Sequence, residues 1–540
     1  MQPPLLTGTS PYLTARDLAA LLGCCSSLKQ LLQVHSFIVT RGHLDRNRDA
    51  LVGILIGIAS SLGYTDYSQM IFNRYPVPTT GLSNAIINSL SWAGSPREAV
   101  FEFSRIRSSG LRPDSYSFPF ALRAAARLPG VEPGRQVHCQ AIGSGFTSDV
   151  HVATALVQFY SANGRVCDAR KVFDEISSRE FLPLWNAMLT GFVRAGEAHL
   201  AAELFERMRM RDVISWTTLM AGFSQLNMPK KSVTIFRRMQ LEGPNPDEMA
   251  MSALISACAE LGALELGEWA RSYITLNGLR WTIPLSNALM DMYAKSGRMD
   301  KAVQIFEGMK RKTVVSWTTV IAGLALNGMG REALKMLDEM EQARVPPNEV
   351  TFLAVLSGCC HSKLVEEGFR VFEMMHDKYS IEPRIEHFGC MIDLLGRAGL
   401  LHGAVEMLES MPFEPNAAIW GSLLAAARTH GDTGLAERAL ERLVELEPKN
   451  GGNFALMSNL YAGLGMWGQS GSVRKALRDN GMKKEPAWSS IEMDGEVHEF
   501  VTEDGSHALS GIIYEVQSGI NGQLKVAACE VDGECAESWG

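Results

Sequence analysis

Apolar positions along this chain follow the helical period, and the pattern is written twice. The segment Val213 to Asn227, VISWTTLMAGFSQLN, is matched by VVSWTTVIAGLALNG at Val314 to Gly328, and Trp216 and Trp317 lie 101 residues apart. The interval divides into units of 35, 35 and 31 residues, at 213–247, 248–282 and 283–313. Self-similarity at a spacing in the thirties marks stacked repeats, in which no unit can bury its apolar face alone. Each unit predicts two helices. In 213–247, WTTLMAGF and SVTIFRRM carry apolar residues at helical spacing, and Gly243-Pro244-Asn245-Pro246-Asp247 stops the second helix. Small residues recur at the tenth position (Gly191, Gly222, Gly323) and the twentieth (Ala201, Ser232, Ala302, Ala333), where the two helices of a unit are expected to cross closely. Position 24 holds an apolar plug: Phe205, Phe236, Phe306 or Leu337.

A unit ending GxxPD, a unit reading LISACAELGALELG and a unit reading NALMDMYAKSGRMDKAVQIF alternate here. The alternation resembles that of plant pentatricopeptide repeat proteins of the PLS subclass, and the likeness extends over nearly the whole chain. The fold it implies is all-α, a right-handed α-α superhelical solenoid of about fourteen helix pairs, twelve of repeat type and two extension motifs.

In that frame residues 1–11 form an N-terminal segment and 12–79 hold degenerate units, Gln33-Val34-His35 echoing Gln136-Val137-His138. A clear array follows over 80–416. One extra residue before Trp185 leaves either Glu180 or Phe181 as the closing residue of the 150 unit. Residues 417–484 resemble the two tetratricopeptide-like motifs of an E domain. Residues 485–525 resemble a partial E+ segment, EVHEFVTEDGSH matching and PAWSSIEM departing. The acidic residues 526–540 read as a disordered tail.

Composition narrows the function classes. With 46% apolar and 20% charged residues the chain is a folded one, and at net charge −8 and pI near 5.9 any polyanion site must be a local groove. The longest apolar run, Ala50 to Ala59, is about half of what a bilayer span needs. The ten cysteines form no CxxC pair, and Cys258 and Cys359, again 101 apart, read as core residues of matching helices in a reducing compartment. The first sixteen residues lack acids and carry Thr7, Thr9, Ser10, Thr14 and Arg16, a composition compatible with an organelle presequence.

No histidine is followed at two residues by Glu, so the HxE and PCxxC set of a zinc deaminase is missing, as are phosphate loops and hydrolase triads. The chain is therefore expected to be no enzyme and to need no cofactor or metal. The resemblance implies base reading by the fifth residue of a unit together with its last, one unit per nucleotide. The pairs are Asn84 with Asp114 and Asn186 with Asp212 (uracil), Thr217 with Asp247 (guanine), Thr318 with Asn348 (adenine) and Asn287 with Thr313 (a pyrimidine), with Thr154 at the same fifth position. For any single pair a helix cap or turn residue is the plainer explanation; their common phase favours base recognition. Arg194, Lys295 and Arg397 share position 13, where the family's phosphate contacts lie, with solvated surface charge as the rival. Trp216 and Trp317 are either core residues or stacking platforms, and their apolar context favours core.

The function implied is site recognition for C-to-U editing of single-stranded RNA in a plant organelle, the mitochondrion or alternatively the chloroplast. The partners implied are a DYW-type deaminase acting in trans and editing accessory proteins, without a membrane. The alternatives are a splicing or stability factor using the same groove, or a protein-binding scaffold of tetratricopeptide type.

Overall fold

The computed structural model describes residues 15–41, 44–74, 78–176, 181–448, 450–479, 488–493, 496–501, 509–521 and 523. The segments 1–11 and 526–540, with Cys529 and Cys535, lie outside the described residues. The chain divides into two compact bodies, Met1–Pro246 and Asp247–Gly540.

The first body stacks seven antiparallel helix pairs: α1 (Ala15–Gly23) with α2 (Leu28–Thr40), α3 (Leu44–Ser61) with α4 (Thr65–Asn73), α5 (Thr80–Trp92) with α6 (Pro96–Ser108), α7 (Ser117–Ala125) with α8 (Glu132–Gly143), α9 (Val150–Ala162) with α10 (Val166–Glu175), α11 (Leu182–Arg194) with α12 (Ala198–Arg207), and α13 (Val213–Gln225) with α14 (Pro229–Glu242). The second body holds seven more: α15 (Glu248–Leu261) with α16 (Leu264–Leu276), α17 (Ile283–Lys295) with α18 (Met299–Gly308), α19 (Val314–Leu326) with α20 (Gly330–Gln342), α21 (Glu349–Ser362) with α22 (Val365–Asp377), α23 (Ile385–Arg397) with α24 (Leu401–Ser410), α25 (Ala417–His430) with α26 (Thr433–Leu446), and α27 (Gly451–Gly463) with α28 (Trp467–Asp479). Within each body the first helix of a pair packs on the first helix of the next, and the second helix also leans on that neighbour. This is the nearest-neighbour construction of a solenoid. At the C-terminal end α27 meets the preceding pair through α26, where the Tyr461 hydroxyl donates to Glu437 (3.0 Å).

The core repeats in phase. The phenylalanine at position 24 meets the aromatic at position 4 of the next unit edge to face: Phe173 with Trp185, Phe205 with Trp216 and Phe306 with Trp317, at centroid separations of 5.0, 4.8 and 4.7 Å. Such pairs add about 1 kcal/mol beyond the area they bury. Trp216 and Trp317 are therefore core, 1% and 5% exposed, and cannot serve as stacking platforms.

The small residues do a different job from the one expected. A Cβ on Gly222 would come within 2.5 Å of Val193 on α11, one on Gly323 within 2.7 Å of Ala294 on α17, and one on Gly191 would strike Ser161 on α9. Each contact joins first helices of successive units, not the two helices of one unit. Position 20 behaves likewise in the long units, where Gly134 and Gly267 face Phe159 and Met292 of the following pair. Position 15 ends the first helix in the left-handed region, with glycine at 94, 164, 196, 297, 328 and 399, and with Asn227 (φ 57°) and Lys363 (φ 54°) as exceptions.

One feature has no precedent in the helical pattern. Strands β1 (Trp488–Met493) and β2 (Glu496–Val501) pair antiparallel with Trp488 opposite Val501. The Glu492 carboxylate accepts the backbone N–H groups of Glu265 (2.8 Å) and Leu266 (3.1 Å), so the hairpin caps the start of α16, 227 residues back in the chain. Residues 510–521 are helical.

Candidate nucleic-acid interface

Positions 5, 9 and 13 of a first helix are spaced i, i+4, i+8 and share one helical face. In α7, α9 and α11 that face lines a groove of about 850 Å³, with Pro119, Thr154 and Asn186 at the fifth positions, Arg123, Gln158 and Thr190 at the ninth, and Arg194 at the thirteenth. The closing residue of most units is placed for a separate reason: it is the N-cap of the next first helix, whereas at α7 the N-cap is Tyr116 and Asp114, two residues earlier, accepts the N–H groups of Tyr116 (3.0 Å) and Ser117 (2.9 Å). Asp149, Asp212, Asp247, Thr282, Thr313, Asn348 and Asn416 all accept a backbone N–H from the first turn. Capping thus explains the closing residue, whereas the fifth residue sits in the second turn and caps nothing. The same rule settles the register of the 150 unit, since Phe181 is the N-cap of α11.

The pairs differ in how they are joined. Asn84 Nδ2 donates to Asp114 Oδ1 and Oδ2 (2.9 and 3.1 Å), and Asn186 Nδ2 donates to Asp212 Oδ1 and Oδ2 (3.1 and 3.4 Å). A serine from the next helix closes each arrangement, Ser117 Oγ donating to Asn84 Oδ1 and Ser215 Oγ to Asn186 Oδ1, both at 2.7 Å. Thr318 reaches Asn348 through Thr351: the two threonine hydroxyls are 2.8 Å apart and Thr351 donates to Asn348 Oδ1 (2.9 Å). Asn287 and Thr313 are not bonded to each other; Asn287 Oδ1 is buried without a partner, while Thr313 Oγ1 lies 3.2 Å from Ser316 Oγ. Thr217 Oγ1 is also unpartnered, Asp247 caps α15 through Ala250 (2.8 Å), and Thr154 donates to its own helix at Val150 (2.6 Å).

Asn84 and Asn186 are only 6% and 9% exposed, and of the two Asn186 lines the groove. Burial pushes the carboxyls of Asp114 and Asp212 up, but the hydrogen bonds they accept, from Asn84, Ser117 and Tyr116 in one case and from Ser215 and Asn186 in the other, outweigh it and hold both below the ordinary range.

The three cations at position 13 divide. Lys295 is neutralised by Glu260 (2.6 Å) and Asp291 (3.0 Å), and Arg397 by Asp393 (2.9 Å). Arg194 lines the groove, exposed, with no acidic partner among the described residues. Arg123 faces the same groove, its guanidinium 5.1 Å from the Trp92 ring.

Two features of the first helices were missed in the sequence. The second residue of many units is apolar and exposed: Tyr116 (68%) and Ile214 (61%), both lining the groove, and in the second body Met249 (60%), Val315 (60%) and Val350 (52%). Their signal was available, because Ile214 and Val315, like Met249 and Val350, are 101 residues apart. Arg123, at the ninth position, is the other. Burial pushes the Cys258 thiol up to about 12 and those of Cys359 and Cys390 up to about 11. Among the described residues no cluster of three His, Cys, Asp or Glu side chains could hold a metal ion, and no helix is long and apolar enough to cross a membrane.

Comparison with known proteins places these features in a family. The PPR repeat model matches residues 184–213, 214–244, 286–314, 350–379 and 386–414, the PPR repeat family model 312–361, and the E motif model 430–492. A pentatricopeptide repeat-containing protein of Arabidopsis thaliana is 43% identical over 506 residues, 93% of this chain and 95% of the relative. Another from the same plant, named as chloroplastic, is 33% identical over 96% of this chain and 85% of its own length. Among solved structures, the pentatricopeptide repeat protein PPR10 from maize aligns over 87% of this chain and 74% of its own, at 17% identity and a TM-score of 0.38. With repeats, extension motif and a full-length relative in agreement, the chain belongs to the pentatricopeptide repeat family.

Proposed function

We propose that this protein binds single-stranded RNA of a plant organelle by sequence and selects sites for C-to-U editing, the deamination being left to a DYW-type enzyme recruited in trans through the E-motif region. The observation that carries the reading is the groove in the first body, where the Asn186 and Asp212 pair, Thr154 and the unpaired Arg194 face one channel. Each base would meet the polar edge of one pair, with the exposed apolar second residues flanking it as a sequence-tolerant platform. Asn84 with Asp114 supplies a second pair in the first body, and Asn287 with Thr313 and Thr318 with Asn348 supply pairs in the second. Of the cations, Arg194 is the phosphate contact we retain, because Lys295 and Arg397 already hold carboxylates. The E motif and the relative named as chloroplastic support the editing role and the organelle, mitochondrion or chloroplast.

Read 5′ to 3′ from the 80–114 unit, the target is U, two unread positions, U, G, one unread, a pyrimidine, A and two unread. The test is transcript sequencing in a plant lacking the protein. Loss of one or a few C-to-U conversions, each about four nucleotides downstream of such a pattern, is the expected result. Unchanged editing with altered splicing or transcript levels would move the assignment to the splicing or stability alternative.

A further inference from the structure

The asparagine amides at positions 84 and 186 are not free to turn over. An amide presents an acceptor and a donor side by side, and a half-turn exchanges them. Uracil offers N3–H beside a carbonyl, cytosine a bare N3 beside an amino group, so a freely turning amide accepts both and a fixed one favours one. In Asn186 the orientation is set from two sides: Nδ2 is drawn to the Asp212 carboxylate, and Oδ1 receives the Ser215 hydroxyl at 2.7 Å. Ser215 Oγ also lies 2.8 Å from Asp212 Oδ1, so its one hydroxyl proton bridges the amide oxygen and the carboxylate and ties the two side chains together. Ser117 repeats the arrangement at Asn84. Asn287 is the internal contrast. Its unit closes with Thr313, whose hydroxyl engages Ser316, so no carboxylate draws the amide nitrogen and Oδ1 is left without a donor.

We propose that Ser117 and Ser215, the third residues of the following units, are positioning residues that fix the Asn84 and Asn186 amides and so let those two units tell uracil from cytosine, while the unfixed Asn287 reads either pyrimidine. The inference rests on the base-recognition reading above. It adds a third member to each pair, contributed by the next repeat, so the specificity of one unit depends on its neighbour.

Fluorescence anisotropy of the full chain with ten-nucleotide RNAs tests it. The U-over-C affinity ratio is measured at the nucleotide facing the 182–212 unit for the wild type, Ser215→Ala, Ser215→Thr and Asn186→Ala. Loss of one hydrogen bond to the amide should cut the ratio about fivefold in Ser215→Ala. Discrimination at the Thr217 nucleotide should be unchanged, and Ser215→Thr, which keeps the hydroxyl, should retain the wild-type ratio. A full ratio in Ser215→Ala, with Asn186→Ala abolishing it, overturns the proposal and leaves base reading intact. A ratio that survives Asn186→Ala refutes base reading itself, and this inference with it. Ser117→Ala, read at the first nucleotide, decides between the same outcomes should Ser215→Ala fold poorly.

Discussion

The bond between the fifth and closing residues can be measured without RNA. Asp212 caps α13 through the Ser215 N–H at 2.8 Å and holds the Asn186 amide, which is 9% exposed. Removing an aspartate cap costs about 1 kcal/mol. Losing a hydrogen bond to a charged group costs about 1.5–3 kcal/mol. Asp212→Ala should therefore destabilise the α11 to α13 region by roughly 3 kcal/mol, and Asn186→Ala by roughly 2 kcal/mol. Because both singles break the same bond, the double variant should fall short of their sum by about 1–2 kcal/mol, whereas independent sites add within about 0.5 kcal/mol. A solenoid need not unfold as one unit, so the readout is hydrogen exchange of the α11 and α13 amides, which reports local opening free energy. Asp247→Ala, which loses its cap bond to Ala250, is the reference for capping alone. An additive double variant would refute the claim that the two residues act as one recognition element.

Three further outcomes follow from the packing and electrostatics. Lys363→Gly relieves a left-handed lysine at a position where glycine is the rule and should stabilise the α21–α22 pair by about 1 kcal/mol, read as a later urea midpoint. Gly222→Ala sets a methyl 2.5 Å from Val193 and should cost about 1–3 kcal/mol in the same assay, while Gly468→Ala, with open space around it, should not. The carboxyls of Asp114 and Asp212 titrate lower folded than unfolded, so their contribution is complete above about pH 4 and is lost as pH falls through the folded value. Asp212→Asn should accordingly flatten the acid limb of a stability profile; an unaltered limb would contradict the assignment.

How far the sequence could be read depended on whether a feature repeats in phase. The helix pairs were legible because Trp216, Trp317 and their Phe205 and Phe306 partners recur at one spacing and pack alike. The glycines were legible as close contacts but assigned to the wrong pair of helices, since a position within one unit does not reveal which neighbour it touches. The split among the cations follows from the same blindness. Lys295 meets Glu260, the residue at position 13 of the preceding unit, so its ion pair appears only when consecutive units are compared side by side. The β1–β2 hairpin was not foreseen because its docking on α16 joins segments 227 residues apart with no shared period.

Selection of RNA ligands from a random single-stranded pool by the full-length protein tests the central claim most directly. The account predicts enriched ligands with U, U, G and A at the first, fourth, fifth and eighth positions of a ten-nucleotide window, and a shift from G toward U at the fifth when Thr217 is replaced by Asn, worth about 1–3 kcal/mol. A pool that emerges without positional preference, or a Thr217→Asn variant that enriches the same sequences as the wild type, would contradict it.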